Sequence, residues 1–223
     1  MKYTLTSYSV LLCLLFSTFS LSAQWGWGSG GINGEGNRVS KTLDIDKFSG
    51  IGLALPADVH LIYGKKQKVE IKAQKNIIDN IERDVRSGVW NIKFKKNVRN
   101  MDPVDIFITL PDFDKVSIAG AGSIIGKDRF QLEDLKVSIA GSGEIELEGT
   151  AEDLDISIAG SGDVELKDLK ARECKVSIAG SGACEINVEK DLAVKIAGSG
   201  DVRYKGNPSV KSSIAGSGDV SSF

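Results

Sequence analysis

The segment SIAGSGD, residues 157–163, returns unchanged at residues 213–219, and related segments recur through the C-terminal half of the chain. The isoleucines of the six I-A-G-[AS]-G copies follow one another at intervals of 18 to 21 residues; they are Ile118, Ile139, Ile158, Ile178, Ile196 and Ile214. A period near 20 residues predicts one structural unit stacked on copies of itself. Apolar and polar residues alternate on both sides of each turn, which predicts strands with one buried face.

Stacked turns of this kind predict an all-β fold, a parallel β-helix or solenoid with rungs of about 20 residues. Each strand would then pair with its equivalent on the next rung, about 4.8 Å away, so that every backbone donor in the strands has a partner. A β-sandwich of regularly spaced hairpins stays open as the alternative.

Two further positions of the repeat form apolar ladders. Four residues before the isoleucine stand Leu135, Leu154, Cys174, Leu192 and Val210, and six residues after it stand Ile124, Ile145, Val164, Cys184, Val202 and Val220. The two cysteines therefore occupy inward positions, either as two buried thiols or as a candidate disulfide. The disulfide requires Cα atoms within about 7 Å.

The rest of the chain divides into segments of different character. Residues 1–23 are predicted to be a signal peptide, because Lys2 precedes an apolar stretch that is too short for a membrane span. Cleavage after Ser22 and cleavage after Ala23 both stay open. Residues 24–37, with Trp25 and Trp27, have no periodicity and are predicted to be a flexible leader. Residues 38–111 are expected to be an irregular β part with one short helix near 76–86, starting at Asn76 and stopping at Gly88, and residues 112–223 the repeat β-helix.

Charge is distributed unevenly along the chain. Residues 64–100 carry 11 Lys and Arg against 4 Asp and Glu, whereas residues 112–223 carry 13 against 20. The basic segment is either a solvated face or a patch for an anionic glycan or lipid headgroup. The sequence has no basic-aromatic motif for nucleic acid and no cofactor motif, and its mature part has no apolar run that could span a membrane.

Several motifs together resemble one bacterial family, the head GIN domain proteins, labelled auto-transporter adhesins and common in Bacteroidetes. The residues that carry the resemblance are Gly31-Ile32-Asn33, Phe48-Ser-Gly-Ile51, residues 76–92, the segment IFITLP at 106–111 and the I-A-G-S-G series. The resemblance implies a right-handed β-helix, an exported location and no established catalytic residues.

Candidate chemistry is sparse. The position after each turn is acidic in four copies, which invites calcium, but calcium prefers six to eight oxygen ligands, and no metal site is expected. Glu146, Glu165 and Glu185 are expected to stack outward, at spacings that glycoside hydrolysis uses, although stacking alone produces them. The only histidine, His60, is expected on the surface, without a serine nucleophile beside it, so no catalytic residue is assigned. The proposed binding surface comprises the three glutamates with Trp90, Lys93, Lys95 and Lys96.

These observations favour a non-enzymatic, exported protein of the periplasm or outer cell surface that presents a regular face to a glycan or an envelope protein. A carbohydrate-active lyase or hydrolase on a β-helix is the first alternative. The second is an envelope scaffold that self-associates through its C-terminal end, because Ser221 and Ser222 replace Glu and Leu there and leave the last rung uncapped.

Overall fold

The strands of the repeat stack in parallel, each pairing with its equivalent on the next rung. The computed structural model describes residues 30–223. Its elements in chain order are β1 (Ile32–Asn33), β2 (Arg38–Leu43), β3 (Gly50–Leu53), β4 (Asp58–Tyr63), β5 (Lys68–Gln74), α1 (Lys75–Asp79), β6 (Val85–Arg86), β7 (Val89–Ile92), β8 (Val98–Asn100), β9 (Asp105–Leu110), β10 (Lys115–Gly120), β11 (Ser123–Gly141), β12 (Glu144–Gly160), β13 (Asp163–Gly180), β14 (Ala183–Gly198), β15 (Asp201–Lys205), β16 (Ser209–Gly216) and β17 (Asp219–Ser222). The predicted parallel solenoid with one short helix is confirmed, and the sandwich of hairpins is wrong.

The core of the solenoid consists of the predicted apolar ladders. Along β12, buried and exposed residues alternate except at Glu152 and Asp153, where two consecutive residues are exposed. The isoleucine ladder is at most 2% exposed from Ile118 to Ile196. Because equivalent residues pair in register, each buried side chain contacts a like side chain on the neighbouring rungs, which explains why the same residue types recur.

Rungs differ in length, and the extra residues lie between the segment that follows one corner and the segment that enters the next corner. Register shifts occur after Ile125 in β11, after Glu146 in β12, and after Leu166 and again after Ala171 in β13. The segments that lead into the I-A-G corners pair without any shift from β10 through β14 to β16. Extra residues are therefore absorbed as bulges away from the corner, and the corner keeps its alignment.

The first glycine of each corner is required by geometry. At Gly180 the backbone φ is +135°, and a Cβ there would lie 2.2 Å from the carbonyl oxygen of Gly160 on the preceding rung. Residues with a Cβ rarely adopt that φ, and the neighbouring backbone leaves no room for one. Two independent constraints therefore select glycine at the same position.

The N-terminal part extends two of the strand stacks. Strand β4 pairs in parallel with β11 and β9, and β3 pairs in parallel with β10 and β7. Beyond them the pairing becomes antiparallel, with β5 on β9 and β2 on β5. At its N-terminal end the solenoid therefore finishes in the antiparallel strands β5 and β2, which contact α1.

The predicted helix over residues 76–86 is too long. Helix α1 covers Lys75–Asp79 with Gln74 at its N-cap, and the chain leaves it at Asn80. The buried Asn80 side chain donates to the carbonyl oxygen of Lys96 at 2.8 Å and accepts from its N–H at 3.1 Å. Ile81 then pairs with Phe94 in an isolated antiparallel bridge. These contacts with a later segment replace the second helical turn.

The C-terminal end of the predicted helix forms one strand of a hairpin instead. Strand β6 pairs antiparallel with β7 across Ser87 and Gly88, whose φ values are 51° and 75°. Positive φ at both positions is the requirement of a tight type I′ hairpin turn. Gly88 therefore turns the chain between two strands and does not stop a helix.

The predicted leader over residues 24–37 is interrupted by structure. Ile32 and Asn33 form β1, which pairs in parallel with β8. The signal peptide, its cleavage site, Trp25 and Trp27 lie outside the described residues. Within residues 30–223, the single helix is far too short to cross a membrane.

The last rung has strand partners on one side only. Strand β16 pairs with β14, and β17 pairs with β15. Every residue of β16 is exposed, and the inward-facing Val210 and Ile214 are 37% and 41% exposed. Ser212 stands in register with the buried Val194. The end of the described solenoid therefore mixes apolar and polar side chains.

Candidate functional site

The strand segment that enters each corner carries three outward rows, which together are called the repeat face below. The register aligns a lysine row, a serine row and an alanine row. The lysine row is Lys115, Lys136, Asp155, Lys175, Ala193 and Lys211; the serine row is Ser117, Ser138, Ser157, Ser177, Lys195 and Ser213; the alanine row is Ala119, Ala140, Ala159, Ala179, Ala197 and Ala215. Each row repeats at the spacing of paired strands, about 4.8 Å.

Shallow depressions run between these rows. One of about 570 Å³ lies between the lysine row and an acidic row that includes Asp153 and Glu173. A second, of about 530 Å³, lies between the lysine and serine rows, and a third, of about 330 Å³, between the serine and alanine rows. The small side chains of the serine and alanine rows leave this surface low, so that a ligand could approach the sheet closely.

Lysines of the repeat face differ from the other cations of the repeats. Across the described part of the chain, no carboxylate oxygen lies within ion-pair distance of Lys115, Lys136, Lys175, Lys195 or Lys211. Among the other cations of residues 112–223, all except Lys127 are paired, for example Lys170 with Glu189 and Lys205 with Asp168 at 3.7 Å. The repeat face therefore carries free positive charge within a segment that is acidic overall.

Sequence reasoning missed this row. The position three residues before the isoleucine is lysine in four of the six copies, which is a visible signal. Whether those lysines are paired depends on where acids stand on neighbouring rungs, and a single repeat does not reveal that.

The acidic residues after the corner have a structural role. The Asp163 carboxylate accepts the N–H of Ala183 at 3.2 Å, and the Asp201 carboxylate accepts the N–H of Asp219 at 3.0 Å. Each acid thus satisfies a backbone donor one rung further along, as a carboxylate does at a helix N-cap. These contacts account for Asp163 and Asp201, and no cluster of three metal-ligating side chains occurs within residues 30–223.

The three predicted glutamates do stack. Glu146, Glu165 and Glu185 are paired in register on successive rungs, followed by Arg203. The Lys167 ammonium bridges Glu165 and Glu185 at 3.3 and 3.2 Å, and Arg203 contacts Glu185 at 3.1 Å. Hydrogen bonds to Glu185 and Glu165 raise the pKa of Lys167. These cations compensate Glu165 and Glu185, whereas Glu146 has no ion-pair partner within residues 30–223.

The predicted aromatic and basic members of that surface lie elsewhere. Trp90 is fully buried, with its indole N–H donating to the carbonyl oxygen of Glu82 at 3.1 Å and its ring 5.6 Å from Phe48. It belongs to the core and cannot stack on a sugar. Lys93 pairs with Glu82 at 3.1 Å, and Lys95 donates to the carbonyl oxygen of Asp79 at 3.4 Å.

These lysines and the glutamates continue different strand stacks. Lys93, Lys95 and Lys96 follow β7, which extends the stack of β3 and β10. The glutamates extend the stack of β4 and β9. The structure therefore does not bring the residues of the predicted surface together on one stack.

His60 is less exposed than predicted. Its ring stacks on Phe107 with centroids 4.8 Å apart, and its Nε2 lies 3.9 Å from an Asp105 oxygen. These neighbours are an aromatic ring and a carboxylate, and they do not form a nucleophile and base pair.

Cys174 and Cys184 are free thiols. Cys174 lies in register between Leu154 and Leu192, and Cys184 aligns with Val164 and Val202. Burial, with a smaller contribution from Asp155, raises the pKa of Cys174 to about 12, and burial raises that of Cys184 well above its usual range. The candidate disulfide is absent, and the thiols act as small apolar groups.

Comparison with known proteins identifies relatives of this architecture. The family described as "Putative auto-transporter adhesin, head GIN domain" matches residues 47–208. No curated protein matches the sequence.

Three crystal structures share the fold. A "putative adhesin" of Bacteroides fragilis NCTC 9343 is 22% identical with a TM-score of 0.71, over 86% of this chain and 100% of the other. A "putative lipid binding protein" of Parabacteroides distasonis ATCC 8503 is 23% identical with a TM-score of 0.56, over 87% and 100%. A "putative adhesin" of Parabacteroides merdae ATCC 43184 is 23% identical with a TM-score of 0.54, over 86% and 99%. At these identities the likeness establishes the fold alone.

Proposed function

Because the chain belongs to the family described as putative auto-transporter adhesin, head GIN domain, we propose that it is an exported, non-enzymatic binding protein. It acts in the periplasm or on the outer cell surface and uses the repeat face to bind a glycan or an envelope protein. The observation that carries the proposal is the repeat face itself, with three outward rows in continuous register and depressions between them.

Regularity supports binding over catalysis. A catalytic site needs one acid or base in an environment unlike that of its neighbours. Here Glu165 and Glu185 occupy equivalent positions on successive rungs and share one bridging lysine, Lys167. Incubation with polysaccharides should release no new chain ends; release that Glu165→Gln abolishes would establish the enzyme alternative.

Binding is tested with bulky neutral substitutions on two sides of the solenoid. Ser157→Tyr with Ser177→Tyr fills the serine row, and Thr150→Tyr is a matched change at an exposed strand position on another side. We expect the first variant to lose glycan-array binding or crosslinking to an envelope partner, while the control keeps it. If the unmodified protein binds no glycan and recovers no envelope partner, the proposal is wrong.

Self-association is a second candidate, favoured by the exposed last rung. Strands β16 and β17 have unpaired edges, and exposed edges of this kind pair with other chains. A second copy that pairs there would cover Val210 and Ile214. Light scattering should then show an oligomer that Ile214→Glu dissociates; a monomer at high protein concentration would rule this role out.

A further inference from the structure

Five lysines of the repeat face lack ion-pair partners, whereas seven of the eight remaining cations of residues 112–223 have them. The paired residues are Arg129, Lys167, Lys170, Arg172, Lys190, Arg203 and Lys205. The eighth, Lys127, lies at the bulge of β11. Unpaired cations are thus concentrated on one face, although the whole segment has a net negative charge.

The free lysines are arranged along the solenoid axis. Lys136, Lys175 and Lys211 stand on alternate rungs of the lysine row, with Asp155 and Ala193 between them. Two rungs correspond to about 9.6 Å, twice the distance between paired strands. A ligand that used all three lysines would need negative charges recurring at about that distance.

Three of these lysines surround one depression. Lys175, Lys195 and Lys211 line the cavity of about 530 Å³ between the lysine and serine rows, together with Ser177, Ser213 and one acid, Asp155. Serine hydroxyls donate and accept hydrogen bonds, as the hydroxyl groups of a sugar do. The adjacent alanine row offers a flat apolar strip against which the C–H side of a sugar ring can pack.

The acidic row beside the lysines is partly neutralised from the other side. Lys190 contacts Glu173 at 2.9 Å and Asp191 at 3.1 Å, and Arg172 contacts Glu173 at 3.1 Å. Hydrogen bonds from Lys190 lower the pKa of Glu173. Screening at physiological salt acts over about 8 Å, so carboxylates on other sides of the solenoid oppose an anion on this face only weakly.

We propose that the repeat face binds a linear acidic polysaccharide lying along the solenoid axis, with its anionic groups on the lysine row. This inference rests on the proposed function and names its ligand class. A lipid headgroup fits less well, because the lysines form a line over several rungs and the three rows contain no large apolar side chain that could enter a bilayer. An anionic membrane is therefore an outcome of the test.

The test uses chondroitin sulfate as the probe, neutral dextran as the control polymer and phosphatidylglycerol vesicles as the control surface. A triple variant, Lys175→Gln, Lys195→Gln and Lys211→Gln, removes the charges around the depression. The matched control, Lys167→Gln, Lys170→Gln and Lys205→Gln, removes the same net charge from paired lysines that lie away from the repeat face. We expect chondroitin sulfate affinity to fall roughly tenfold or more in the first variant and less than about threefold in the second, with binding that weakens as salt rises.

A variant with a gain of affinity complements the triple variant, because misfolding of the protein cannot explain an increase in binding. Asp155 interrupts the lysine row between Lys136 and Lys175, and Asp155→Lys should raise the affinity for chondroitin sulfate several-fold. Equal losses in the two triple variants, no effect of Asp155→Lys, or binding to vesicles without binding to the polymer would each overturn the inference. If the tyrosine variants abolish binding of a neutral glycan or a protein while chondroitin sulfate never binds, the proposed function stands and only this ligand class falls.

Discussion

Replacing the corner glycines with alanine separates two constraints that act together in most rungs. At Gly180 the φ is +135° and the new Cβ would lie 2.2 Å from the Gly160 carbonyl oxygen. At Gly120, in the first copy, the φ is +122°, but no atom lies within 4 Å of the Cβ position. Gly120→Ala therefore tests the backbone conformation alone, and Gly180→Ala tests the conformation together with the contact between rungs.

The expected magnitudes follow from these two terms. A residue forced into a sparsely populated backbone region costs about 1–3 kcal/mol, so Gly120→Ala should lower the free energy of unfolding by that amount. Displacing the neighbouring rung to admit the extra methyl group adds a cost similar to overpacking, about 1–3 kcal/mol. Gly180→Ala should therefore destabilise the protein by about 2–6 kcal/mol.

Urea unfolding followed by circular dichroism measures both values, provided that the slopes of the two variants agree. Repeat proteins can unfold in steps, and the two free energies can be compared only if unfolding is two-state. Tryptophan fluorescence is therefore measured as a second probe, and its midpoints should agree with those from circular dichroism. The reasoning is refuted if Gly180→Ala is no more destabilising than Gly120→Ala, since the contact with the preceding rung would then have no energetic effect.

Three other measurements test separate parts of the structure. Hydrogen bonds from Lys41 and Lys75 lower the pKa of Asp79 from 3.8 to about 2; this stabilisation is present above pH 3.8 and is lost as the pH falls through about 2. Lys41→Met should raise the pKa of Asp79 measured by NMR, and an unchanged value would contradict the contact. Thiol reagents should leave Cys174 unmodified in the native protein at pH 8, because its pKa is about 12, and should modify it after unfolding; rapid native modification would show that the thiol is accessible. Trp90→Ala should cost about 3–5 kcal/mol of stability, with no selective loss of glycan binding in the folded fraction, whereas a selective loss would return Trp90 to the binding surface.

The repeats were predictable because each copy meets the same local requirements. Ile158 and Ile178 are buried at equivalent positions, and Gly160 and Gly180 turn the chain at equivalent corners. Six aligned copies therefore showed the strand period, the turn and the inward ladders without any knowledge of distant contacts.

Contacts between distant segments were not predictable in the same way. Ile81 has helical spacing from Ile77 and Ile78, yet it pairs with Phe94, so a partner from a later segment overrides the local preference. Trp90 stands beside a basic segment in the sequence, but Phe48 and the carbonyl oxygen of Glu82 determine its environment.

In the candidate site, too, the features that depend on repeat position were predictable and those that depend on contacts between rungs were not. The outward stack of Glu146, Glu165 and Glu185 was expected from their equivalent positions, and the register contains it. The neutralisation of Glu165 and Glu185 by Lys167 was not expected, because these two glutamates lie on different rungs. The free charge of Lys175 and Lys211 was not predictable either, because it depends on which acids of neighbouring rungs lie within ion-pair distance.

The constant register at the corners also means that the repeat face can be lengthened by whole rungs. Since length differences are absorbed in bulges after Ile125, Glu146 and Leu166, duplicating one rung would leave the existing corners aligned. Each added copy would lengthen every outward row by one residue and about 4.8 Å. The length of the repeat face can therefore change in whole steps, with the residue types of each row unchanged.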